Sequence, residues 1–235
     1  MVGAPLRSSQ WRGGGDQQIP RPEGWLHGGA APWLDRVRRL SAADVVASVT
    51  SHPQLAPVAP EATLRESAVL VLITDGSKGA EVLLTRRSQS LNRHRGEISF
   101  PGGHVDPGEG FEAAALREAH EEVSLDQLAV QVHGRLDPIS TIASGSFIVP
   151  VVGTIDRRPV LLPAAAEVDR IMWVPLAELT RADTFREEVW HRDGEPRPIF
   201  FFELEDETIW GATARILHQL LRVALGIEGP EPPAL

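Results

Sequence analysis

The chain has 235 residues, 42% of them hydrophobic, enough for one domain of ordinary size plus extensions. Its 32 acidic against 23 basic residues leave a formal net charge of −9, which argues against a general nucleic-acid binder. It contains no cysteine, which excludes disulfides and thiol catalysis, and no apolar run reaches the roughly 18–20 residues that a membrane span needs.

The N-terminal stretch has no apolar segment of the kind a secretory signal carries, so a cytoplasmic protein is expected. Residues 1–31 are rich in Gly, Pro and Arg without a periodic apolar face, and predict a mobile or loosely docked tail. Trp11, Trp25 and Trp33 stand against that reading, because tryptophans in tails often dock. P-W-L-D-R-V-R-R-L from Pro32 predicts a short amphipathic helix with Trp33, Val37 and Leu40 on one side. Ser41-Ala-Ala-Asp predicts the cap of a second short helix through Val49. A proline-punctuated linker follows, since successive prolines suit neither a helix nor a central strand. The expected division is an N-terminal extension over 1–62, a main domain over 63–228 and a disordered tail over 229–235.

In the main domain, Ser67–Thr74 is a continuous apolar run, as in a strand buried on both faces. D-G-S-K-G-A turns the chain into a second strand, E-V-L-L-T-R-R. Ser88–Glu97 is a polar, basic loop, and I-S-F returns as a short strand ended by Pro101-Gly102-Gly103. An acidic helix is predicted from about Glu109 to Val123. Leu128–Leu136 alternates like a strand, Asp137–Ser146 reads as a loop, and Phe147–Ile155 as another buried strand. Glu167–Val174 predicts a strand, with a short helix from Pro175. Thr184–His191 and Pro198–Glu205 predict a final hairpin. Ile209–Leu225 predicts an amphipathic helix, with Ile209, Ala212, Ile216, Leu220 and Val223 on one face.

The acidic helix carries Glu118, Glu121 and Glu122, at i, i+3 and i+4, which are neighbours on a helix surface. Three such carboxylates repel one another unless a cation sits among them. Hard divalent cations prefer carboxylate oxygens and commonly share them with substrate phosphates. The basic loop upstream offers Arg86, Arg87, Arg93, His94 and Arg95 in an otherwise acidic chain, a composition suited to anions. His104, His120, His133 and His218 lack partners at metal-ligand spacing and are expected as surface or satisfied polar residues.

Gly103–Leu125 has the spacing G-x5-E-x7-R-E-A-x-E-E-x-S-L. This resembles the Nudix box, G-x5-E-x7-R-E-U-x-E-E-x-G-U, with Gly103, Glu109, Arg117, Glu118, Glu121, Glu122 and Leu125 in place. Ala119 is smaller than the usual aliphatic residue. Ser124 replaces a glycine that usually ends the helix in a conformation serine adopts less readily. The resemblance implies an α/β fold, the Nudix α/β/α sandwich, with a mixed sheet and a catalytic loop-helix-loop. It implies Mg2+ or Mn2+ as cofactor, held by Glu118, Glu121 and Glu122, with Glu122 foremost. The carbonyl of Gly102 or Gly103 would complete the shell. Glu121 would activate the attacking water, and Arg117 would pair with Glu109 to hold the loop on the helix. Glu167, at the start of a strand resembling the family's strand-to-helix step, is either a further metal ligand or a strand-edge surface acid.

Leu83–Gly103 resembles the coenzyme A pyrophosphatase signature, L-L-T-x-R-[S/A]-x3-R-x3-G-x3-F-P-G-G, a Nudix subgroup. Leu83, Leu84, Thr85, Arg87, Ser88, Gly96, Phe100, Pro101, Gly102 and Gly103 match. Asn92 stands where the signature has Arg, with Arg93 beside it. The resemblance places Arg86, Arg87, Arg93 and Phe100 at the substrate, and the loop Ile142–Phe147 along the pocket. Ile209 and Trp210 are expected in the core rather than against a base. The expected reaction is hydrolysis of CoA or its derivatives to 3′,5′-ADP and 4′-phosphopantetheine. The alternatives are another nucleoside diphosphate derivative (ADP-ribose, an NDP-sugar, a dinucleotide) or a non-catalytic binding module. The expected partner is the small-molecule nucleoside diphosphate itself, with no nucleic acid and no membrane, and with homodimerisation left open.

Overall fold

The computed structural model describes residues 11–36, 39–53, 64–141, 145–192 and 194–228. Residues 54–62 of the linker expected over 52–62, the tail over 229–235 and Ile142–Ser144 of the expected pocket loop lie outside the described residues. In chain order the first elements are β1 (Leu26–His27), α1 (Ala42–Ser51), β2 (Arg65–Gly76), β3 (Gly79–Arg87), β4 (Ile98–Ser99), β5 (Gly102–His104) and α2 (Phe111–Val123). Then come β6 (Gln131–Arg135), β7 (Ile139–Thr141), β8 (Ser146–Thr154), β9 (Val168–Pro175), α3 (Leu176–Leu179), β10 (Phe185–Arg192), β11 (Glu195–Glu203), β12 (Thr208–Trp210) and α4 (Gly211–Ala224).

The main sheet is mixed. β2 runs parallel to β8 from Arg65 opposite Ser146 to Ile73 opposite Thr154, and the other pairings are antiparallel. The sheet runs β4-β3-β2-β8-β6, with β9 on β3, β5 on β2 and β7 on β8. The feature that makes the site is a splay between β2 and β3. They pair only over Ile73–Gly76 and Gly79–Val82. Beyond that point β4 pairs with β3, and β5 pairs with β2 at Ser67–Val69. Residues 98–104 therefore occupy the gap, and they carry the Pro-Gly-Gly turn.

Alternation along the buried strands divides their side chains between two cores. Ala68, Leu70, Leu72 and Leu83 face α2, where Ala114, Ala115, Ala119 and Val123 are buried. Val71, Ile73, Val82 and Leu84 face α1 and α4. α1 begins as predicted, with Ser41 and Asp44 forming a reciprocal capping box. Pro32–Asp35, expected to open a helix, forms only a turn. β7 falls inside an expected loop, and Gln127–Ala129 is a 3-10 turn leading into β6. Among the described residues no helix is long and apolar enough to cross a membrane.

The expected hairpin is present, and one expectation is corrected. The final hairpin, β10 and β11, does form, but it belongs to a second sheet of order β1-β10-β11-β12. Phe200 and Phe202 of this sheet pack inward beside α4, and Phe201 faces the other way, beneath the guanidinium of Arg186 at 4.0 Å. The correction concerns residues 11–31, expected as part of a mobile or loosely docked tail. They are bound along this second sheet. Trp11 Nε1 donates to the Phe185 carbonyl at 3.2 Å, and Arg21 reaches the buried Glu188 at 2.9 Å. Leu26 and His27 add β1 to the edge of β10. Trp33 is fully buried, stacked on Phe202 and edge-on to Phe185. His218 is likewise not a surface residue. It stacks on Phe200 at 4.0 Å, its Nδ1 has no hydrogen-bond partner among the described residues, and burial pushes its pKa down to about 3.

If the extension is part of the core, Trp33→Ala should cost about 3–5 kcal/mol in a denaturant titration. A loss below about 1 kcal/mol would return the segment to a peripheral tail.

Candidate active site

α2 starts one residue after Gly110 and ends at Ser124, whose backbone is left-handed with φ 56° and ψ 35°. Serine thus takes the conformation that glycine would adopt more readily, at a cost on the order of 1 kcal/mol. The Ser124 N–H donates to the His120 carbonyl at 2.9 Å. Two more carbonyls of the last turn are satisfied from outside the helix. Leu162 N–H donates to Val123 O at 3.0 Å, and Ala164 N–H to Glu122 O at 2.8 Å. The segment 162–167 is thereby fixed against the end of α2, and Ser88 N–H, at the head of the basic loop, donates to Glu167 O at 2.8 Å.

The glutamates of the helix point to two places. Glu122 is 4% exposed and accepts the Gly102 N–H at 3.3 Å. Glu118, one turn earlier, lies against Gly103, where a Cβ would run into its carboxylate. A side chain at 103 would displace the Glu118 carboxylate from this position. Glu121 is mostly exposed and lies on the side of Arg117.

Arg117 gathers the loop and the helix. Its Nε and Nη2 grip Glu109 at 3.0 Å each, and Nη2 also donates to the His104 carbonyl at 2.9 Å. Its Nη1 reaches Glu118 at 2.9 Å and Glu121 at 3.2 Å. These bonds hold the Glu109 carboxyl below the ordinary range, aided by the Asp106 N–H.

The carboxyls nearer the sheet move the other way. Burial raises Glu122 from 4.5 to about 7, against the pull of Arg87 and the Gly102 N–H, and with the push of Glu118 and Glu167. Burial also raises Glu118, opposed by Arg117 and assisted by Glu121 and Glu167. Glu167 is exposed, yet its charge is felt by both.

Arg87 lies on the same face of the sheet as this cluster, with Nη1 3.9 Å from Glu122. Its Nε is buried and has no hydrogen-bond partner among the described residues. Arg93 is exposed on the loop. Two expected substrate residues lie elsewhere. Arg86 alternates to the opposite face of β3 and pairs with the fully buried Glu207 and with Asp16, each at 3.4 Å. Phe100 is 2% exposed and belongs to the core beneath α1 and α4. The reason is the period of two along a strand, which sends neighbours to opposite faces. Sequence reasoning missed Glu207, which binds Arg86, Arg170 and Gln17; an acidic turn, Glu205–Glu207, was the one signal for it.

The donor set suits a hard cation. Among the described residues no three carboxylate or imidazole side chains stand gathered as a ready ligand set. Arg117 occupies Glu118 and Glu121. Even so, two carboxylates whose burial disfavours their charge, standing beside the backbone of Gly102 and Gly103, are oxygen donors that a divalent cation would stabilise.

The NUDIX domain profile matches residues 64–194. The uncharacterized Nudix hydrolase NudL of Photorhabdus laumondii is 39% identical over 157 residues, spanning 66% of this chain and 83% of that protein. The NudL of Yersinia pestis strain Pestoides F is 34% identical over 160 residues, spanning 68% and 79%. A solved MutT/nudix family protein from Enterococcus faecalis superposes with a TM-score of 0.47 at 18% identity, covering 82% of this chain and 72% of that one. The matched span contains the splayed strands, the Gly-Gly turn and the whole glutamate helix, and the chain belongs to the Nudix hydrolase family.

Proposed function

We propose that this Nudix hydrolase cleaves the diphosphate of CoA or CoA derivatives, yielding 3′,5′-ADP and 4′-phosphopantetheine. The observation that carries the reading is Arg87. It is the cation of the L-L-T-x-R segment, it stands beside the buried Glu122, and its Nε is without a partner among the described residues. A guanidinium with unspent donors next to a carboxylate cluster is suited to a phosphate oxygen.

In this reading Glu118, Glu122 and the Gly103 carbonyl would hold Mg2+ or Mn2+, with Glu121 and Glu167 as further carboxylate ligands. A bound divalent cation would neutralise charge on the diphosphate and orient the attacking water. The water oxygen forms a new bond to phosphorus, the bridging P–O bond breaks, and the departing phosphate keeps the electron pair. Glu121, the most exposed glutamate of α2, accepts the water's proton. Arg87, beside Glu122, fixes the phosphates, and Arg117 keeps Glu109 and the loop against α2.

A second reading is a different nucleoside diphosphate derivative, such as ADP-ribose, an NDP-sugar or a dinucleotide. Asn92 favours it, since the subgroup signature has Arg there, and its neighbour Arg93 points into solvent.

The test is turnover with Mg2+ or Mn2+ over a panel of CoA, acyl-CoA, ADP-ribose, NADH and diadenosine polyphosphates, with products identified by mass. CoA should give the highest kcat/KM, and Glu122→Gln should lower it by at least about a thousandfold with the fold intact. Gln retains an acceptor for the Gly102 N–H. A preference for ADP-ribose would select the second reading, and no turnover at all would make the protein a binding module.

Protonation gives an independent check. The folded Glu122 carboxyl binds its proton more tightly than the unfolded one. Its contribution is therefore fully present below about pH 4.5 and is lost as pH rises through about 7. Metal-free protein should lose stability from about pH 5 to 8, by an amount on the order of 3 kcal/mol from this group. Glu118 adds in the same direction. Thermal melts of Glu122→Gln should show a flatter slope, and an unchanged slope would contradict the assignment.

A further inference from the structure

Residues 11–17 cross from α3 to the basic loop. Arg12 pairs with Glu178 at 2.9 Å, and Gly14 N–H donates to Leu204 O at 3.0 Å. Gly15 N–H donates to Thr208 Oγ1 at 3.0 Å, and Asp16 meets Arg86 at 3.4 Å. The three consecutive glycines, whose composition reads as a flexible tether, are a close passage. A Cβ on Gly15 would come within 2.8 Å of Glu207 Cα and 2.9 Å of the Asp206 carbonyl, and backbone cannot yield as a side chain can.

The passage ends at Gln17, whose side-chain amide is fully used. Its Nε2 donates both to the buried Glu207 and, at 3.2 Å, to the Gly96 carbonyl. Its Oε1 accepts the Thr208 N–H at 2.8 Å. Gly96 closes the base of the loop, since its N–H donates to Arg87 O at 3.0 Å, and Arg87 N–H donates to Glu97 O at 2.9 Å. Gln17 is thus one peptide unit removed from the backbone that carries Arg87. Glu207 is tied in turn to Arg86 and Arg170 of the main sheet. A saturated amide on a buried carboxylate gives a fixed point, and the loop hangs from it.

We infer that Gln17 is a positioning residue for the loop 88–97, and that through Gly96 it sets the register of Arg87 against the substrate's phosphates. The N-terminal arm is then a determinant of substrate affinity, although it lies outside the segment that carries the catalytic helix. The inference rests on the reading of Arg87 as a phosphate ligand.

The test uses the full-length protein with Gln17→Met, which keeps the length and removes all three hydrogen bonds, and with Gly15→Ala, which displaces the passage by its backbone contacts. Amide exchange over 88–97 should accelerate by about tenfold or more in both, while core amides of β8 stay as in wild type. KM for CoA with Mg2+, or for the diphosphate that the panel identifies, should rise several-fold with kcat within about twofold. Unchanged exchange in the loop would overturn the role of Gln17. Faster exchange with an unchanged KM would overturn the link from loop to substrate. Arg87→Ala is measured alongside. If it too leaves KM unchanged, the fault lies in the reading of Arg87, and the loop-anchoring result stands or falls on exchange alone.

Discussion

A carboxylate on the packed side of a helix, Glu122, is the constraint around which the site is arranged. At 4% exposure it would be charged only at a cost, and its pKa rises to about 7. The fold offers it partial relief, a backbone N–H from Gly102 and a guanidinium 3.9 Å away on Arg87. Neither satisfies both oxygens fully. A protein that buries an acid so incompletely compensated spends stability at that point, and such sites are candidates for chemistry. The geometry demands a helix lying close over the sheet. That explains why Ala114, Ala115 and Ala119 line its inner face, and why Gly103 is beside Glu118. Ala119, smaller than the aliphatic residue of the Nudix box, is fully buried there.

The splay of β2 from β3 supplies the place for this. Had the two strands paired to their ends, residues 98–104 could not lie between them, and no Gly-Gly turn would face the helix. The same sheet face carries Arg87 and the opposite face carries Arg86, so one strand serves both the site and the scaffold. Behind it, Arg86 and Arg170 converge on the buried Glu207. A buried carboxylate with two cations and an amide around it is costly to break, because removing one partner strands the rest. This second knot holds the main sheet, the β11–β12 turn and the N-terminal arm together.

Much of the architecture was legible. The apolar runs of β2 and β8, the hairpin turn of β3, the spacing of α2 and the cap of α1 all have local causes. The box was legible as residue types at fixed intervals. What escaped was non-local. Residues 11–27 acquire their structure from distant partners, Phe185 and Glu188 among them, and glycine-rich composition alone gives no hint of a close passage. Their tryptophans were the available signal. Arg86 and Phe100 were grouped with the substrate by motif, although strand alternation assigns Arg86 and Arg87 to opposite faces. The second sheet could not be distinguished from an extension of the first, because a hairpin's pattern does not say which sheet it joins.

The proposed ligation of a divalent cation by Glu118 and Glu122 is open to direct measurement. It is tested most directly by titrating the metal-free protein with Mn2+ and following the free-ion electron paramagnetic resonance signal. Wild type should take up the ion stoichiometrically, with Glu118→Gln and Glu122→Gln each weakening binding by about tenfold or more. Uptake of equal affinity by the double variant would contradict it.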